Sequence, residues 1–250
     1  LAAGASPRVP DIDGLAATPF HTSDSIMRID AVPEHLIILG GGYIAAEMGH
    51  VFAALGSKVS IVHRGARLLR HLDVDISTRF TQQFAKRVFL HLDAEVTRVD
   101  HDGSEFTLSL DCEHPDLAPV LEELTGDALL VTTGRIPNGA QLGVAAAGLH
   151  LDPGGYVVTD DQLRTGVEGI WALGDIRNPL QLKHLANQEA KVVSHNLLHP
   201  DSPISIDQRV VPHAVFSHPE IGSVGARQVE LDARNHPYSV GHCDYGAVAY

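Results

Sequence analysis

Leu36-Ile37-Ile38-Leu39-Gly40-Gly41-Gly42-Tyr43-Ile44-Ala45-Ala46-Glu47 joins a continuous apolar run to a glycine triplet and then to a helix-forming stretch. Four consecutive apolar residues suit a strand covered on both faces, since neither face then meets water. From Tyr43 to Leu55 the apolar residues recur with helical spacing, and Gly56 stands where a left-handed residue ends a helix. Between strand and helix, Gly40-x-Gly42-x-x-Ala45 has the spacing of a phosphate-binding turn. Gly40 permits the tight turn, Gly42 lets backbone approach a ligand, and Ala45 is small enough for close packing of helix on strand. A pyrophosphate would lie against the helix start at Tyr43 and Ile44, where amides have no partner within the helix.

Downstream, Lys58-Val59-Ser60-Ile61-Val62 reads as a second strand, followed by His63-Arg64-Gly65-Ala66-Arg67-Leu68-Leu69-Arg70. In NAD-binding versions of this unit an acid at the end of that strand accepts from the ribose 2′-hydroxyl. Here no acid occurs before Asp73, and three arginines do. Arg64 and Arg70 are expected to clamp a 2′-phosphate with planar, charge-assisted donors, which favours NADPH over NADH. The alternative is a solvated loop. Residues 73–90 are expected to be helical, residues 94–101 and 105–110 to form a hairpin around Asp102-Gly103, and Asp127–Thr133 to form another buried strand.

On this pattern the fold is expected to be α/β, with four regions. Residues 1–22 are a strand end and a proline-containing linker, beginning with Leu1-Ala2-Ala3-Gly4 as the end of a buried strand. Residues 23–140 form the dinucleotide-binding domain, residues 141–202 a returning segment, and residues 203–250 a strand-rich start of a further domain.

The formal net charge of −13 argues against nucleic acid or an anionic membrane as the main partner, because both require a basic face. No apolar run is long enough for a spanning helix, and the N-terminus does not read as a signal peptide. It reads as a chain entered partway through a domain. Two cysteines, Cys112 and Cys243, give no disulfide framework and no closely spaced redox pair, and they fit a reducing cytoplasm. No metal site is expected from the histidine and cysteine spacings.

The stretch Leu39–Glu47 resembles the glutathione reductase and lipoamide dehydrogenase family, the class I pyridine nucleotide-disulfide oxidoreductases. Leu130-Val131-Thr132-Thr133-Gly134-Arg135-Ile136-Pro137-Asn138 resembles that family's strand closing the nicotinamide-nucleotide domain. Gly169-Ile170-Trp171-Ala172-Leu173-Gly174-Asp175 is similar to its second flavin motif, and Val215–Gly225 to the opening of its dimer-interface domain. Leu68–Asp73, Leu182–Ala190 and Asp244–Tyr250 are most similar to the mycothione-reducing branch.

The resemblance implies a Rossmann-type NADP-binding domain inserted in a partial FAD-binding domain, followed by the start of an α+β dimerisation domain. It implies FAD and NADPH as cofactors, a low-molecular-weight disulfide as substrate, and a homodimer. Tyr43 matches a tyrosine covering the nicotinamide pocket, and Glu47 a glutamate near nicotinamide and flavin. Gly134 and Arg135 border the cofactor. Asp175 matches the carboxylate holding the flavin ribityl chain, with Ile170–Leu173 as the strand leading into it. Lys183 and His184 open the helix aimed at the flavin pyrimidine.

Three parts that the resemblance implies are not found in these residues: an N-terminal glycine-rich flavin motif, a Cys-x-x-x-x-Cys pair and a C-terminal His-Pro-Thr. Of sixteen histidines, His114, His199, His218 and His236 precede proline, and none is followed by Thr. The chain is therefore expected to be an internal piece holding no catalytic residue. A related flavoenzyme with another acceptor, such as soluble transhydrogenase, mercuric reductase or a lipoamide dehydrogenase-like enzyme, is the first alternative. A non-catalytic nucleotide-binding module is the second.

Overall fold

The computed structural model describes residues 1–112 and 120–244; His114 and the stretch 245–250 fall outside the described residues. In chain order the elements are β1 (Ala5–Pro7), β2 (His35–Leu39), α1 (Tyr43–Ala54), β3 (Lys58–His63), α2 (Val74–Phe84), β4 (Phe89–Leu92) and β5 (Ala94–His101). They continue with β6 (Phe106–Cys112), β7 (Val120–Gly126), β8 (Ala128–Val131), β9 (Arg135–Pro137), α3 (Lys183–Leu198), β10 (His213–Val215), β11 (Ile221–Ser223) and α4 (Gln228–Ala233).

The centre is a four-stranded parallel sheet in the order β4-β3-β2-β8. Alternate residues of each strand enter different cores. Leu36, Ile38, Val59, Ile61 and Leu130 pack with Ala45, Ala46 and Phe52 of α1 and with Phe80 and Phe84 of α2. Ile37, Leu39, Val62, Leu129 and Val131 pack with Val96, Val99, Phe106, Leu108 and Leu110 of the antiparallel sheet β5-β6-β7. The apolar residues of β2, β3 and β8 are thus removed from water on one side or the other, which explains the unbroken apolar runs. The doubly covered sheet confirms the α/β expectation, and the Asp102-Gly103 hairpin forms as read: Asp102 Oδ1 accepts from the amides of Ser104 and Glu105 at 2.8 and 2.9 Å.

Four expectations need correction. The helix read over 73–90 ends at Phe84, and Phe89–Leu92 instead pairs in parallel with β3, Ser60 opposite Phe89. Pairing with an existing strand there outweighs the local helical pattern. Leu1-Ala2-Ala3 is exposed and lies before β1, and the Leu1 backbone bonds to Trp171 and Leu173. Ile170–Leu173 is no regular strand: its one ladder contact is the Arg164–Trp171 bridge, and its other bonds go to Thr165, Val167, Leu163 and Leu1. Beyond residue 203 the described strands are only β10 and β11, three residues each, since most side chains there find no core to cover them.

Two strands of the chain run side by side where the parallel-sheet unit begins and ends. β1 pairs antiparallel with β9, Ala5 opposite Pro137 and Pro7 opposite Arg135. No helix of the described residues is long and apolar enough to cross a membrane.

Candidate cofactor site

The turn from β2 to α1 is shaped by three glycines that play three different parts. Gly40 has φ +131°, and a Cβ there would lie 2.5 Å from Thr132 Oγ1 and 2.6 Å from Thr132 O. Only glycine fits both the conformation and the space. A Cβ on Gly41 would meet the His63 ring at 2.6–2.7 Å. A Cβ on Gly42 would meet nothing within 4 Å, so this backbone faces open space. Gly42 is the N-cap of α1 without a side-chain cap bond, and the first helical hydrogen bond is Ala46 N–H to Gly42 O at 3.1 Å. The amides of Tyr43, Ile44 and Ala45 therefore precede the helical ladder and point toward that space. Ala45 is fully buried, as close packing of α1 on the sheet demands.

At the end of β3, Arg64 and Arg70 are exposed and Arg67 is half-buried. None of the three makes an ion pair with a described residue. That is unusual company for a chain with 31 acidic and 18 basic residues, and it leaves a local positive site in an acidic protein. Inside the arc sits His63, a residue that no sequence motif marked. Its Nε2 is buried without a partner. Burial, then the guanidinium groups of Arg70 and Arg64, hold its ring below the ordinary imidazole value, while Asp93 and a hydrogen bond with the Arg67 backbone act the other way. The signal for His63 was positional: it is the last residue of the second strand.

Tyr43 packs against His71 with the two rings tilted and their centroids 4.1 Å apart, and meets His213 edge-on at 6.3 Å. Burial pushes its phenol up. Glu47 accepts a hydrogen bond from the Phe216 amide at 3.1 Å, tying α1 to the end of β10. Gly134 has φ +127° and accepts from Arg8 N–H. Arg135 spends its donors on the Ala5 carbonyl and Ser23, beside Asp24 at 3.7 Å, so it braces β1 rather than reaching the glycine turn.

Asp175 lies in a short 3-10 turn over Gly174–Ile176, half-buried, and its carboxylate makes no hydrogen bond with the described residues. The turn is anchored from below by Glu189 of α3, another residue the sequence did not reveal. Glu189 is fully buried and accepts from Gly174 N–H at 2.5 Å, Asn178 Nδ2 at 3.1 Å, Gln208 Nε2 at 3.1 Å and the Arg177 guanidinium. Lys183 and His184 open α3 as expected. Lys183 Nζ donates to Asn187 at 2.5 Å, and His184 Nε2 lies 2.6 Å from Pro212 O.

One histidine pair has a spacing that suits metal ligation, His195 and His199, with rings 4.7 Å apart. No group of three potential ligands forms among the described residues, and His195 Nε2 is engaged by Ser202 O at 3.0 Å. Cys243 is a free, exposed thiol.

The family described as pyridine nucleotide-disulphide oxidoreductase matches residues 1–190. The chain belongs to that family. Membership implies FAD and a pyridine nucleotide as cofactors, and both halves of the site have polar groups left for them: uncapped amides and unpaired arginines in one, the free Asp175 carboxylate in the other. Mycothione reductase from Mycobacterium tuberculosis is 41% identical over the whole chain, which covers 53% of that protein. Mercuric reductase from Staphylococcus aureus is 33% identical over 96% of the chain and 43% of its own length. Among solved structures, the HOCl-induced flavoprotein disulfide reductase RclA from Escherichia coli superposes with a TM-score of 0.80 at 32% identity, covering 93% of this chain and 52% of that one. LpdA from M. tuberculosis gives 0.77 at 30% identity, covering 93% and 49%. The chain thus spans about half the length of the relatives it matches.

Proposed function

We propose that this chain is the NADPH-binding part, with a portion of the flavin site, of an FAD-dependent oxidoreductase that reduces a low-molecular-weight disulfide, mycothione, to two thiols. The observation that carries the cofactor choice is the group of three arginines at the end of β3 that have no carboxylate partner among the described residues. The substrate choice rests on the similarity to mycothione reductase over the full chain. The mercuric reductase similarity makes another acceptor the second reading.

In this reading residues 23–140 form the NADP-binding domain, residues 1–22 and 141–202 belong to the flavin domain, and residues 203–250 open the interface domain of a cytoplasmic homodimer. Exposed Phe216, Val224 and Val229 in the last region suit burial against a second subunit. When bound, the nucleotide and flavin supply the hydride and electron chemistry. The protein's contribution is placement. Amides of Tyr43 and Ile44 face the pyrophosphate, Arg64 and Arg70 hold the 2′-phosphate, and Tyr43 covers the nicotinamide pocket until it is filled. Asp175 holds the ribityl chain, and the start of α3 at Lys183 and His184 presents its positive end to the flavin ring.

Each charge-assisted contact to the 2′-phosphate is worth about 1.5–3 kcal/mol, so two give roughly a hundred- to ten-thousandfold preference for NADPH. Arg64→Glu with Arg70→Glu is expected to abolish that preference in a binding titration of NADPH against NADH. An unchanged ratio would refute the assignment. Flavin absorbance of the purified full-length protein separates a flavoenzyme from a colourless NADPH-binding module, and its turnover with mycothione compared with mercuric ion separates the two acceptor readings.

A further inference from the structure

The imidazole at the end of β3 lies between the glycine turn and the loop that carries the arginines. β3 sends Ile61 into the helix-side core, and two residues later His63 leaves the strand on that same face. Its ring lies under the glycine turn, filling the volume that a side chain on Gly41 would need. On its other side a Cβ at Gly65 would stand 3.1 Å from Nε2, and that same point is 3.5 Å from Cδ and Nη1 of Arg70. The side-chain position left empty at Gly65 thus lies between Nε2 and the Arg70 side chain. Nε2 itself is buried and has no hydrogen-bond partner. A buried nitrogen left in this way is costly unless something supplies the missing bond.

We propose that His63 is a third ligand of the cofactor's 2′-phosphate, donating from Nε2 beside Arg64 and Arg70, and that it takes up a proton as NADPH binds. The inference rests on the dinucleotide reading above and adds proton linkage to it. An oxygen entering the space left by the missing side chain of Gly65, between Nε2 and Arg70, completes the imidazole's hydrogen bonding.

The groups facing His63 explain the linkage. Burial, then Arg70 and Arg64 on the loop that follows β3, disfavour a charged ring in the free protein. Asp93, between β4 and β5, and the Arg67 backbone act in the opposite sense but do not prevail. A phosphate dianion among these groups reverses the balance, because it favours the imidazolium and is favoured by it. NADH, lacking that phosphate, makes no such demand.

The test is calorimetry of NADPH and of NADH binding at pH 7 in two buffers of different ionisation enthalpy, with His63→Gln alongside the unaltered protein. The unaltered protein is expected to take up a substantial fraction of about one proton more with NADPH than with NADH. His63→Gln should abolish that difference and reduce the NADPH-over-NADH preference roughly ten- to hundredfold. Equal proton counts for the two nucleotides in the unaltered protein overturn the proposal whether or not the variant folds. Equal losses of NADPH and NADH affinity in His63→Gln also overturn it, since they mark a purely structural histidine. Binding of neither nucleotide by the unaltered protein defeats the dinucleotide reading itself, and is recognisable as such before any variant is compared.

Discussion

At the residue scale the glycine turn separates two roles that one motif usually blurs. Gly40 is demanded by the protein, because Thr132 backbone occupies the place a Cβ would take and φ lies in the left-handed half of the map. Gly42 is free of such demands, because its Cβ position is empty. Gly40→Ala should therefore destabilise the fold by about 1–3 kcal/mol, visible as a lower denaturant midpoint. Gly42→Ala should leave that midpoint within about 0.5 kcal/mol of the parent while weakening dinucleotide binding, since the added methyl occupies the ligand's approach. Similar midpoints for both variants would show that the turn is not held by Thr132. Histidines follow the same logic of surroundings: His71, pressed against Tyr43, sits beside Arg227 and His213, and burial pulls its ring down to about 4.

Among the elements, α3 owes its position to a buried charge as much as to apolar contact. Its buried apolar residues are Leu185, Val192 and Val193, a modest set for sixteen residues. Glu189 joins it to the Gly174–Asn178 turn and to Gln208 through one carboxylate that is 0% exposed, paired with Arg177. Such a pair adds little beyond what well-packed apolar residues would, but breaking it strands a charge. Glu189→Ala should cost about 3–5 kcal/mol by chemical denaturation. The double variant Glu189→Leu with Arg177→Met should recover much of that loss. Failure of the pair to recover any stability would indicate that the bonds to Gly174 and Asn178, rather than the uncompensated arginine, set the cost. α2 illustrates a different dependence: Thr81 Oγ1 receives Leu68 N–H and Ser77 Oγ donates to Leu68 O, so the loop carrying the arginines is pinned to the helix that follows it.

Across the whole molecule, four histidines share one direction of change. His21, His35, His63 and His71 are all lowered, in each case chiefly by burial. The unfolded chain then binds more protons than the native one between about pH 4, where His71 titrates when folded, and the ordinary imidazole value of 6.5. Stability rises with pH wherever the unfolded state holds the extra protons. This contribution is complete above pH 6.5 and lost progressively as the pH falls toward 4. A melting temperature that falls over that interval, and falls less steeply in His71→Gln, is the expected result. A flat profile would mean that these rings are not buried in solution. The last region is fastened to residues 23–140 by Val215 and Ile221, which join the helix-side core, and by polar contacts from Arg227 to His71 O, Gln228 N–H to Asp73 and Phe216 N–H to Glu47.

The parallel-sheet unit was readable from residues alone because its signals are local. An apolar run, a glycine spacing, a helix stop at Gly56 and the Asp102-Gly103 hairpin each depend on a few neighbours in the chain. The arginines without a following acid were equally plain. What could not be read were the partners brought together by folding. Phe89–Leu92 became a strand because β3 was there to pair with it, and Ile170–Leu173 did not because its neighbours lie in Leu1 and Leu163. Arg135 turned to Ala5, 130 positions away, and His63 and Glu189 gained their significance from groups that no spacing rule connects to them. Backbone preferences and periodicity act over a turn or a strand, whereas desolvation and unpaired polar atoms exist only once distant segments have excluded water from a common space.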